Sequence, residues 1–305
     1  MITVRVPAKV NVQLGVGGLR ADGFHDLANV FFAVALGDEV TASESSDGIT
    51  LSCSGPDAEA VPLDDSNLAA RAARLLAAHH GIADPAVHLH IAKAIPVAGG
   101  MAGGSADGAA ALVACDALWK LDTPVGTLLE LAAELGSDVP FALVGGVALG
   151  RGRGEILEPL AASGTFHWVF AVADGGLSTP AVFRECDRLR EEAGTGSGDT
   201  DVPTPDADPA LLAALAQGDA VALAAALAND LQPAALSLRP SLAATLRAGT
   251  EAGALGALVS GSGPTCAFLA KDADAAAAVA EALRASGTCR TAHATYGPVP
   301  GASVL

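Results

Sequence analysis

The sequence predicts an α+β protein with two domains, each a sheet covered by helices. The chain has 305 residues, 51% of them hydrophobic, which is enough for a core in each of two domains. Segments with strand-type alternation are interspersed with alanine-rich segments of helical periodicity. A glycine- and arginine-rich turn at residues 150–154 separates two such sets. These observations predict domains at 1–155 and 156–305.

The first domain is predicted to mix strands with helices. Strands are expected at residues 2–6, 31–36, 49–53, 87–91 and 141–149. Helices are expected at 67–80, from Ser105 as N-cap to Lys120 in the last turn, and at 126–135. Alternation in the strand at 87–91 places His88 and His90 together on one face, where we expect them to be solvated rather than to bind a metal ion.

The second domain is predicted to repeat this mixture. Strands are expected at 168–173, 255–260 and 265–269, with a tight turn at 261–264 between the last two. Helices are expected after 177–183, as an alanine-rich pair after residue 209, and at 274–286. The segment 191–209 is rich in Gly, Thr, Asp and Pro, which predicts a flexible surface loop.

The composition excludes several classes of partner. A formal net charge of −17 disfavours nucleic acid, because affinity for the phosphate backbone depends on dense Lys and Arg. No apolar run approaches the roughly 18 residues of a membrane span, and the first residues lack the pattern of a secretory leader. We therefore expect a cytoplasmic protein that binds neither nucleic acid nor a membrane. The sequence leaves the oligomeric state open.

A glycine-rich loop follows the strand at 87–91 and opens onto a helix. Gly99, Gly100, Gly103 and Gly104 let the backbone turn tightly and bring its N–H groups close to an anion, and the helix adds its positive end. The loop lacks the Gly-Lys-Ser/Thr of a Walker A motif and the G-x-G-x-x-G spacing of a dinucleotide site. Taken alone, it fits tight packing as well as phosphate binding.

Two further segments decide between these interpretations. They are Pro-Ala-Lys-Val-Asn at residues 7–11 and Val-Ser-Gly-Ser-Gly-Pro at residues 259–264. Together with residues 96–107, in this order, they resemble the GHMP small-molecule kinases. The resemblance implies the two-domain GHMP fold, with an N-terminal ATP-binding α/β sandwich and a ferredoxin-like C-terminal domain. The turn at 259–264 lacks the G-x-S-x-G frame of a serine hydrolase.

Within that superfamily the closer resemblance is to the branch whose acceptor is 4-diphosphocytidyl-2-C-methyl-D-erythritol, in the non-mevalonate isoprenoid pathway. It is carried by Arg-Ala-Asp-Gly-Phe-His at residues 20–25 and Leu-Gly-Ser-Asp-Val-Pro-Phe at residues 135–141, and it spans nearly the whole chain. Phe24 stands where Tyr is frequent, and Ala106 where a second Ser is frequent. The resemblance implies ATP-dependent phosphorylation of the acceptor's 2-hydroxyl.

The resemblance assigns roles to individual residues. Asp138 is implied as the base, Lys9 as its catalytic partner and Asn11 as a contact to the acceptor. Without the resemblance, a solvated Lys9 and a helix-capping Asp138 would be the simpler interpretations. The ATP-binding residues it implies are Pro96, Val97, Ala98, Gly99, Gly100, Met101, Ala102, Gly103, Gly104, Ser105 and Ala106, with Lys93 and Asn67 at the nucleoside end.

The resemblance also implies a cytosine held between aromatic rings. Phe24 and Phe183 stand at the matching positions, and His25 would contact the edge of the base. Phenylalanine is more often a core residue, which is the competing interpretation. Mg²⁺ is implied as a cofactor with ligands left open, Ser105 and Asp107 being candidates. Arginines that could meet the diphosphate are Arg20, Arg151 and Arg153.

Two other functions stay open at this point. The first is another GHMP kinase acting on homoserine, a sugar or a mevalonate-type alcohol, or less simply a decarboxylase on the same fold. The second is a catalytically silent nucleotide-binding protein, since a fold alone does not give a function. Retention of Lys9 and Asp138 disfavours the silent protein, and the aromatic residues disfavour acceptors that carry no base.

Overall fold

The computed structural model describes residues 1–97, 99–198 and 201–305. In the first half the elements are β1 (Ile2–Leu19), β2 (His25–Ser43), β3 (Ile49–Ser54), a 3₁₀ turn (Ala58–Ala60), α1 (Leu68–His79), β4 (Val87–Ala92), α2 (Gly103–Trp119), α3 (Val125–Leu135), α4 (Val139–Val144), β5 (Val147–Arg151) and β6 (Ile156–Pro159). In the second half they are β7 (Phe166–Val172), α5 (Thr179–Glu192), α6 (Pro209–Gln217), α7 (Ala220–Ala226), β8 (Ala228–Asn229), α8 (Gln232–Leu238), α9 (Leu242–Glu251), β9 (Gly256–Val259), β10 (Cys266–Ala270), α10 (Ala273–Ser286), β11 (Thr291–Gly297) and β12 (Ser303–Val304). The α+β class predicted from the sequence is confirmed.

Two sheets form the framework of the described residues. The larger runs in the order β12-β1-β2-β4-β3, with β5 and β6 continuing from β2 and β8 added to β1. The smaller runs in the order β11-β7-β10-β9 and is antiparallel throughout. Since β8 and β12 come from the second half of the chain, both halves contribute to the larger sheet. The predicted boundary at residue 155 stays a prediction.

The long antiparallel pair β1 and β2 positions the first site residues. Its register shifts between Pro7 and Ala8 and again between Asn11 and Gln13, so β1 carries irregularities on both sides of one short stretch. Within that stretch Lys9 and Asn11 are two positions apart and therefore point to the same side. The predicted strand at 2–6 is confirmed, but it continues to Leu19. The sequence did not show this extension because the register shift after Pro7 interrupts the alternation of side chains.

Helix α2 lies against this sheet. Most of its residues are buried, and alanines predominate among them. Small side chains allow a helix to approach its neighbours closely, so a helix buried nearly all round can sit between β1, β2 and α1. The helix begins at Gly103 after Ala102, which has φ of 59°. Ser105 is therefore in the first turn, and its prediction as N-cap is wrong.

Two predicted elements differ from the structure. The segment 141–149 was expected as one strand, but it forms the end of α4 and the start of β5. Periodicity cannot separate a short buried helix from a short buried strand, and Pro140 in the first turn favours the helix. The alanine-rich pair expected after residue 209 is instead a series of short helices, α6 to α9, interrupted by β8.

The segment between α5 and α6 lies along β1 where the structure describes it. The Gln13 side chain donates from Nε2 to the Asp206 carbonyl oxygen (2.8 Å) and accepts from the Asp208 amide (2.8 Å). Arg151 pairs with the Asp206 carboxylate at 2.8 Å. Asp199 and Thr200 lie outside the described residues. The flexibility expected over 191–209 stays a prediction.

The described residues include no helix that combines the length and the apolar character needed to cross a membrane.

Helix α9 packs so closely on β10 that a methyl group at Gly249 would clash. A Cβ there would lie 2.2 Å from Cε1 of Phe268, whose side chain is fully buried. We expect Gly249→Ala to lower the free energy of unfolding by about 1–3 kcal/mol, because overpacking forces a buried ring to move.

Gly126→Ala is the matched control, since Gly126 lies in α3 with no atom within 4 Å of an added Cβ. We expect this change to be neutral or stabilising by up to about 1 kcal/mol from helix propensity. Urea denaturation of both variants measures the difference. A Gly249→Ala protein as stable as the parent would contradict the packing described here.

Candidate active site

A cleft of about 990 Å³ lies where β1, the glycine loop, α5 and the turn after β9 meet. Most of the site residues predicted from the sequence line it. They are Lys9, Asn11, Phe24, His25, Gly99, Gly100, Ala102, Gly103, Gly104, Ser105, Asp138 and Phe183. The predicted residues that do not line it are Asn67, Lys93, Pro96, Val97, Met101 and Ala106. Ala98 lies outside the described residues.

Lys9 is the buried centre of one end of the cleft, with 7% of the residue exposed. Its Nζ donates to Oδ1 of Asn11 (2.7 Å) and to the carbonyl oxygen of Gly100 (3.2 Å), and it lies 3.5 Å from Oδ2 of Asp138. A buried ammonium group needs such partners to offset its desolvation. Lys9 is therefore not the solvated surface charge that the residue alone would suggest.

Asp138 directly precedes α4 but does not cap it. Its side chain makes no capping hydrogen bond to the first turn of that helix, and 31% of the side chain is exposed. Its carboxylate therefore remains available to accept a proton in the cleft, held beside the Lys9 ammonium.

Asn11 is oriented by a second amide. Its Nδ2 donates to Oδ1 of Asn29 on β2 at 2.6 Å, and both side chains are buried. This bond fixes which end of the Asn11 amide faces Lys9. Asn29 also lines the cleft, and no short motif in the sequence marked it.

The glycine loop is shaped by contact with the turn after β9. Gly100 has φ of +75°, and a Cβ on it would lie 2.4 Å from the carbonyl oxygen of Ser260. Oγ of Ser260 donates to the Gly100 carbonyl oxygen at 3.2 Å. Only glycine fits such a close approach of two backbones. The loop then enters α2, whose positive end and the half-buried Ser105 face the cleft.

Lys93 lies beneath this loop and does not line the cleft. Its Nζ is between two buried carboxylates, 2.5 Å from Oδ2 of Asp38 and 2.9 Å from Oδ2 of Asp107. The other oxygen of Asp38 accepts from the amides of Ala94 (2.6 Å) and Ile95 (2.8 Å). The three charged side chains thus tie β2 to the chain entering the loop and to α2.

This ion triad changes the protonation of its members. Burial lowers the pKa of Lys93, but the two carboxylates outweigh it, so the pKa is raised. Burial raises the pKa of the Asp107 carboxyl, and the Lys93 ammonium opposes that change. The sequence predicted that Lys93 contacts the nucleoside and that Asp107 binds a metal ion. In the structure these two side chains are paired with each other, and neither lines the cleft.

Asn67 is also occupied by the protein itself. As N-cap of α1 its Oδ1 accepts from the Ala69 amide at 2.8 Å, and its Nδ2 donates to the Pro62 carbonyl oxygen at 2.7 Å. The neighbouring Leu68 lines the cleft in its place. The helix expected at 67–80 is confirmed with this cap.

The opposite end of the cleft is built from the turn after β1 and from α5. The rings of His25 and Phe183 lie with centroids 5.1 Å apart at an angle of 30°. Phe24 is 48% exposed and its ring lies 5.1 Å from Cζ of Arg153, which also lines the cleft. Neither Phe24 nor Phe183 is a fully buried core residue.

The three predicted arginines differ in placement. Arg153 lines the cleft, whereas Arg20 and Arg151 do not. Arg20 donates to the carboxylates of Asp26 and Asp22, and the hydrogen bond to Asp26 raises the pKa of Arg20.

Two residues at this end of the cleft were not predicted from the sequence. Asp187 lies one helical turn after Phe183 on α5, and its Oδ1 is 3.0 Å from Nε2 of His25. Thr179 at the start of α5 shares a 2.8 Å hydrogen bond with Ser262, joining the helix to the turn after β9. The i, i+4 spacing of Phe183 and Asp187 was the available signal for Asp187.

His88 and His90 are not solvated in the way we expected. Both are half-buried on one face of β4. On the neighbouring strand β3, the hydroxyl groups of Thr50, Ser52 and Ser54 form hydrogen bonds of 2.8–3.0 Å with their ring nitrogens. The described residues contain no cluster of three His, Cys, Asp or Glu side chains suited to a metal ion.

Comparison with known proteins bears on the motifs. The model of the GHMP kinases N terminal domain matches residues 67–146, and that of the GHMP kinases C terminal matches residues 211–289. A 4-diphosphocytidyl-2-C-methyl-D-erythritol kinase from Streptomyces avermitilis is 69% identical over 100% of this chain and 99% of the relative. One from Mycolicibacterium smegmatis is 58% identical over 100% of this chain and 92% of the relative.

The chain belongs to the 4-diphosphocytidyl-2-C-methyl-D-erythritol kinase family of the GHMP kinases. It is a kinase, and the family implies ATP as phosphoryl donor. A crystal structure of 4-(cytidine 5'-diphospho)-2C-methyl-D-erythritol kinase superposes with a TM-score of 0.76 at 35% identity, covering 96% of this kinase and 99% of that chain. The resemblance and the two-domain GHMP fold predicted from the sequence are confirmed.

The fold extends to more distant kinases. A homoserine kinase from Cytophaga hutchinsonii superposes with a TM-score of 0.74 at 22% identity, covering 100% of this kinase and 97% of that chain. At that identity the likeness shows the common fold only.

The Lys93 triad should be essential to stability, because removing its cation leaves two carboxylates buried together. We expect Lys93→Met to lower the free energy of unfolding by about 3–5 kcal/mol at neutral pH, the usual cost of breaking a buried ion pair. Chemical denaturation measures it. Lys271→Met, at an exposed lysine, is the control and should leave stability within about 0.5 kcal/mol. Equal stability of the two variants would show that the triad is dispensable.

Proposed function

We propose that this kinase transfers the γ-phosphoryl group of ATP to the 2-hydroxyl of 4-diphosphocytidyl-2-C-methyl-D-erythritol, giving the 2-phosphate and ADP in the non-mevalonate isoprenoid pathway. The observation that carries the proposal is one cleft with two chemically different ends. The first holds Lys9 and Asp138 beside the glycine loop, and the second holds His25 and Phe183. The substrates in this proposal are small molecules, and we expect the reaction to take place in the cytoplasm.

Asp138 is the group that receives the proton in this proposal. The acceptor hydroxyl gives its proton to the Asp138 carboxylate as its oxygen attacks the γ-phosphorus, and the bond from phosphorus to the β-bridging oxygen breaks to release ADP. A positioned base of this kind contributes about 10²–10⁴-fold to the rate. The unused capping capacity of Asp138 supports this role.

Lys9 stabilises the charge that moves during transfer. Its ammonium is held in place by Asn11 and Gly100 before substrate binds, so little reorganisation is needed at the moment of reaction. Asn11, itself fixed by Asn29, is positioned to orient the acceptor hydroxyl.

The glycine loop and the start of α2 are proposed to hold the ATP phosphates. Backbone N–H groups of the loop and the positive end of α2 supply the attraction that a chain of net charge −17 otherwise lacks. The nucleoside end is expected near Leu68, with Asn67 and Lys93 acting as supports of the framework rather than as direct contacts.

The oxygen ligands at the cleft are few, and they suit a Mg²⁺ ion that is bound mainly by the phosphates of ATP. Ser105 supplies a hydroxyl at the cleft, whereas the Asp107 carboxylate is paired with Lys93. Magnesium in kinases is commonly held by one or two protein oxygens together with phosphates and water. When bound, it would neutralise phosphate charge, and Ser105 is the residue proposed to face it.

The aromatic end of the cleft is proposed to hold cytosine. Phe183 offers a ring face for stacking and His25 a ring nitrogen for the edge of the base, with Phe24 and Arg153 at the rim. Homoserine, sugars and mevalonate carry no base for these side chains to bind. A silent nucleotide-binding protein would not require the buried pairing of Lys9 with Asp138.

Turnover with a set of acceptors tests the reaction. We expect ADP release with 4-diphosphocytidyl-2-C-methyl-D-erythritol, but not with homoserine, mevalonate or no acceptor. Asp138→Asn should lower kcat by about 10²–10⁴-fold while it still binds ATP, because only the proton acceptor is lost. Turnover with a different alcohol would refute the acceptor, and ATP binding without any turnover would favour a silent protein.

The cytosine site is tested by truncating its stacking ring. We expect Phe183→Ala to raise KM for the cytidine acceptor about 5- to 160-fold, as loss of ~1–3 kcal/mol of stacking implies, and to leave KM for ATP nearly unchanged. Tyr296→Ala, at an exposed ring that does not line the cleft, is the control. An equal loss for both substrates after Phe183→Ala would contradict the assignment.

A further inference from the structure

One carboxylate at the acceptor end has no part in the chemistry described so far. Asp187 lines the cleft from α5, with only 16% of its side chain exposed, and its Oδ1 lies 3.0 Å from Nε2 of His25, whose side chain is 6% exposed. A carboxylate withdrawn from water beside an imidazole normally fixes the orientation of the ring and the position of its proton.

The pairing determines what the other ring nitrogen can do. An ionised carboxylate only accepts hydrogen bonds, so Nε2 of neutral His25 must carry the proton that it donates to Asp187. Nδ1 then holds a lone pair. Among the described residues Nδ1 has no hydrogen-bond partner, and His25 lines the cleft.

We propose that Asp187 is a positioning residue that makes His25 a hydrogen-bond acceptor and thereby selects cytosine over uracil at the acceptor end. The inference rests on the proposed function for the presence of a pyrimidine base there. It adds a determinant of base identity, which stacking on Phe183 cannot supply because every base has a π-face.

The two pyrimidines differ at the atom that such an acceptor meets. Cytosine carries a 4-amino group, which donates, whereas uracil carries a 4-oxo group, which accepts. The Nδ1 lone pair of His25 is complementary to the amino group and repels the oxo group. Bound uracil would leave buried polar atoms unpaired, or it would have to move from the position in which cytosine stacks on Phe183. A site built to hydrogen-bond one group discriminates strongly against an analogue that lacks this group.

The local structure favours this role over a simple tie between elements. Phe183 and Asp187 are one turn apart on the same face of α5, so the stacking ring and the carboxylate are held in one rigid unit. The His25 ring lies at 30° to the Phe183 ring with centroids 5.1 Å apart, and both side chains line the same end of the cleft. A purely structural contact would not require His25 to keep one particular tautomer.

The test is the preference of the whole protein for CMP over UMP. Both are titrated calorimetrically in the presence of Mg²⁺ and a saturating non-hydrolysable ATP analogue, which keeps them out of the donor site. We expect the parent to bind CMP at least about tenfold more tightly than UMP, as expected for a matched hydrogen bond. Asp187→Asn can donate to Nε2 and shift the proton to Nδ1, as the same change does beside a catalytic histidine. The preference should then fall to about threefold or less.

Glu192→Gln is the matched control, because it removes the same charge from the same helix. The Glu192 side chain pairs with Arg188 rather than with His25. Its preference should equal that of the parent. Nitrogen-15 spectra of the histidine rings supply a second readout, with His25→Gln used to assign the signal. We expect the Nε2–H tautomer in the parent and an increased Nδ1–H population in Asp187→Asn.

An unchanged CMP preference in both Asp187→Asn and Asp187→Ala, or an equal loss of affinity for CMP and UMP, would overturn the proposal. So would a parent without preference, or one whose His25 carries its proton on Nδ1. Asp187→Ala gives a second chance to detect the effect if the asparagine still accepts from Nε2. Turnover by the parent reports separately on the proposed function, since base preference in binding does not depend on which alcohol is phosphorylated.

Discussion

The carbonyl oxygen of Gly100 accepts from two donors, and this shared acceptor holds together the end of the cleft that contains Lys9 and Asp138. Lys9 Nζ reaches it from β1 at 3.2 Å and Ser260 Oγ from the turn after β9 at 3.2 Å. Because the Lys9 ammonium is buried, it must keep its acceptors, and the Asp138 carboxylate lies 3.5 Å away as its counter-charge. The first strand, the glycine loop, the turn near the end of the chain and the start of α4 are thus brought to one point by the need to satisfy one cation.

The second buried lysine explains why the glycine loop can serve as a rigid cradle. Lys93 has no access to the cleft, yet its carboxylate partner Asp38 accepts from the amides of Ala94 and Ile95 just before the loop. Asp107, its other partner, belongs to the first turns of α2. The entry and exit of the loop are therefore fixed to one ion triad, and the glycines between them supply conformational freedom only where the backbone approaches Ser260.

Local sequence patterns were sufficient to predict the strands and helices whose buried side chains recur with a regular period. They were also sufficient to identify the three motifs. The strand at 87–91 and the helix capped by Asn67 follow from alternation and capping chemistry. The apolar run in α4 was misassigned because a short buried segment shows no period. Lys93 was misplaced for another reason: its partner Asp38 is distant in sequence, and such pairing is a property of the fold alone. The same applies to the Asn29 that orients Asn11.

The two ends of the cleft are held by different interactions, so substrate specificity can vary at one end without a change at the other. The groups proposed to handle phosphate and proton meet at the buried Lys9 ammonium, which donates to Asn11 and Gly100 and lies 3.5 Å from the Asp138 carboxylate. Loss of these partners would leave a buried charge unpaired. The groups proposed to face the acceptor come from the turn after β1 and from one face of α5, a helix joined to the turn after β9 through Thr179 and Ser262. Substitutions on that face change what is recognised without leaving a charge unpaired at Lys9. A scaffold built in this way can keep one phosphoryl-transfer end and change its acceptor, because the two ends depend on different buried interactions.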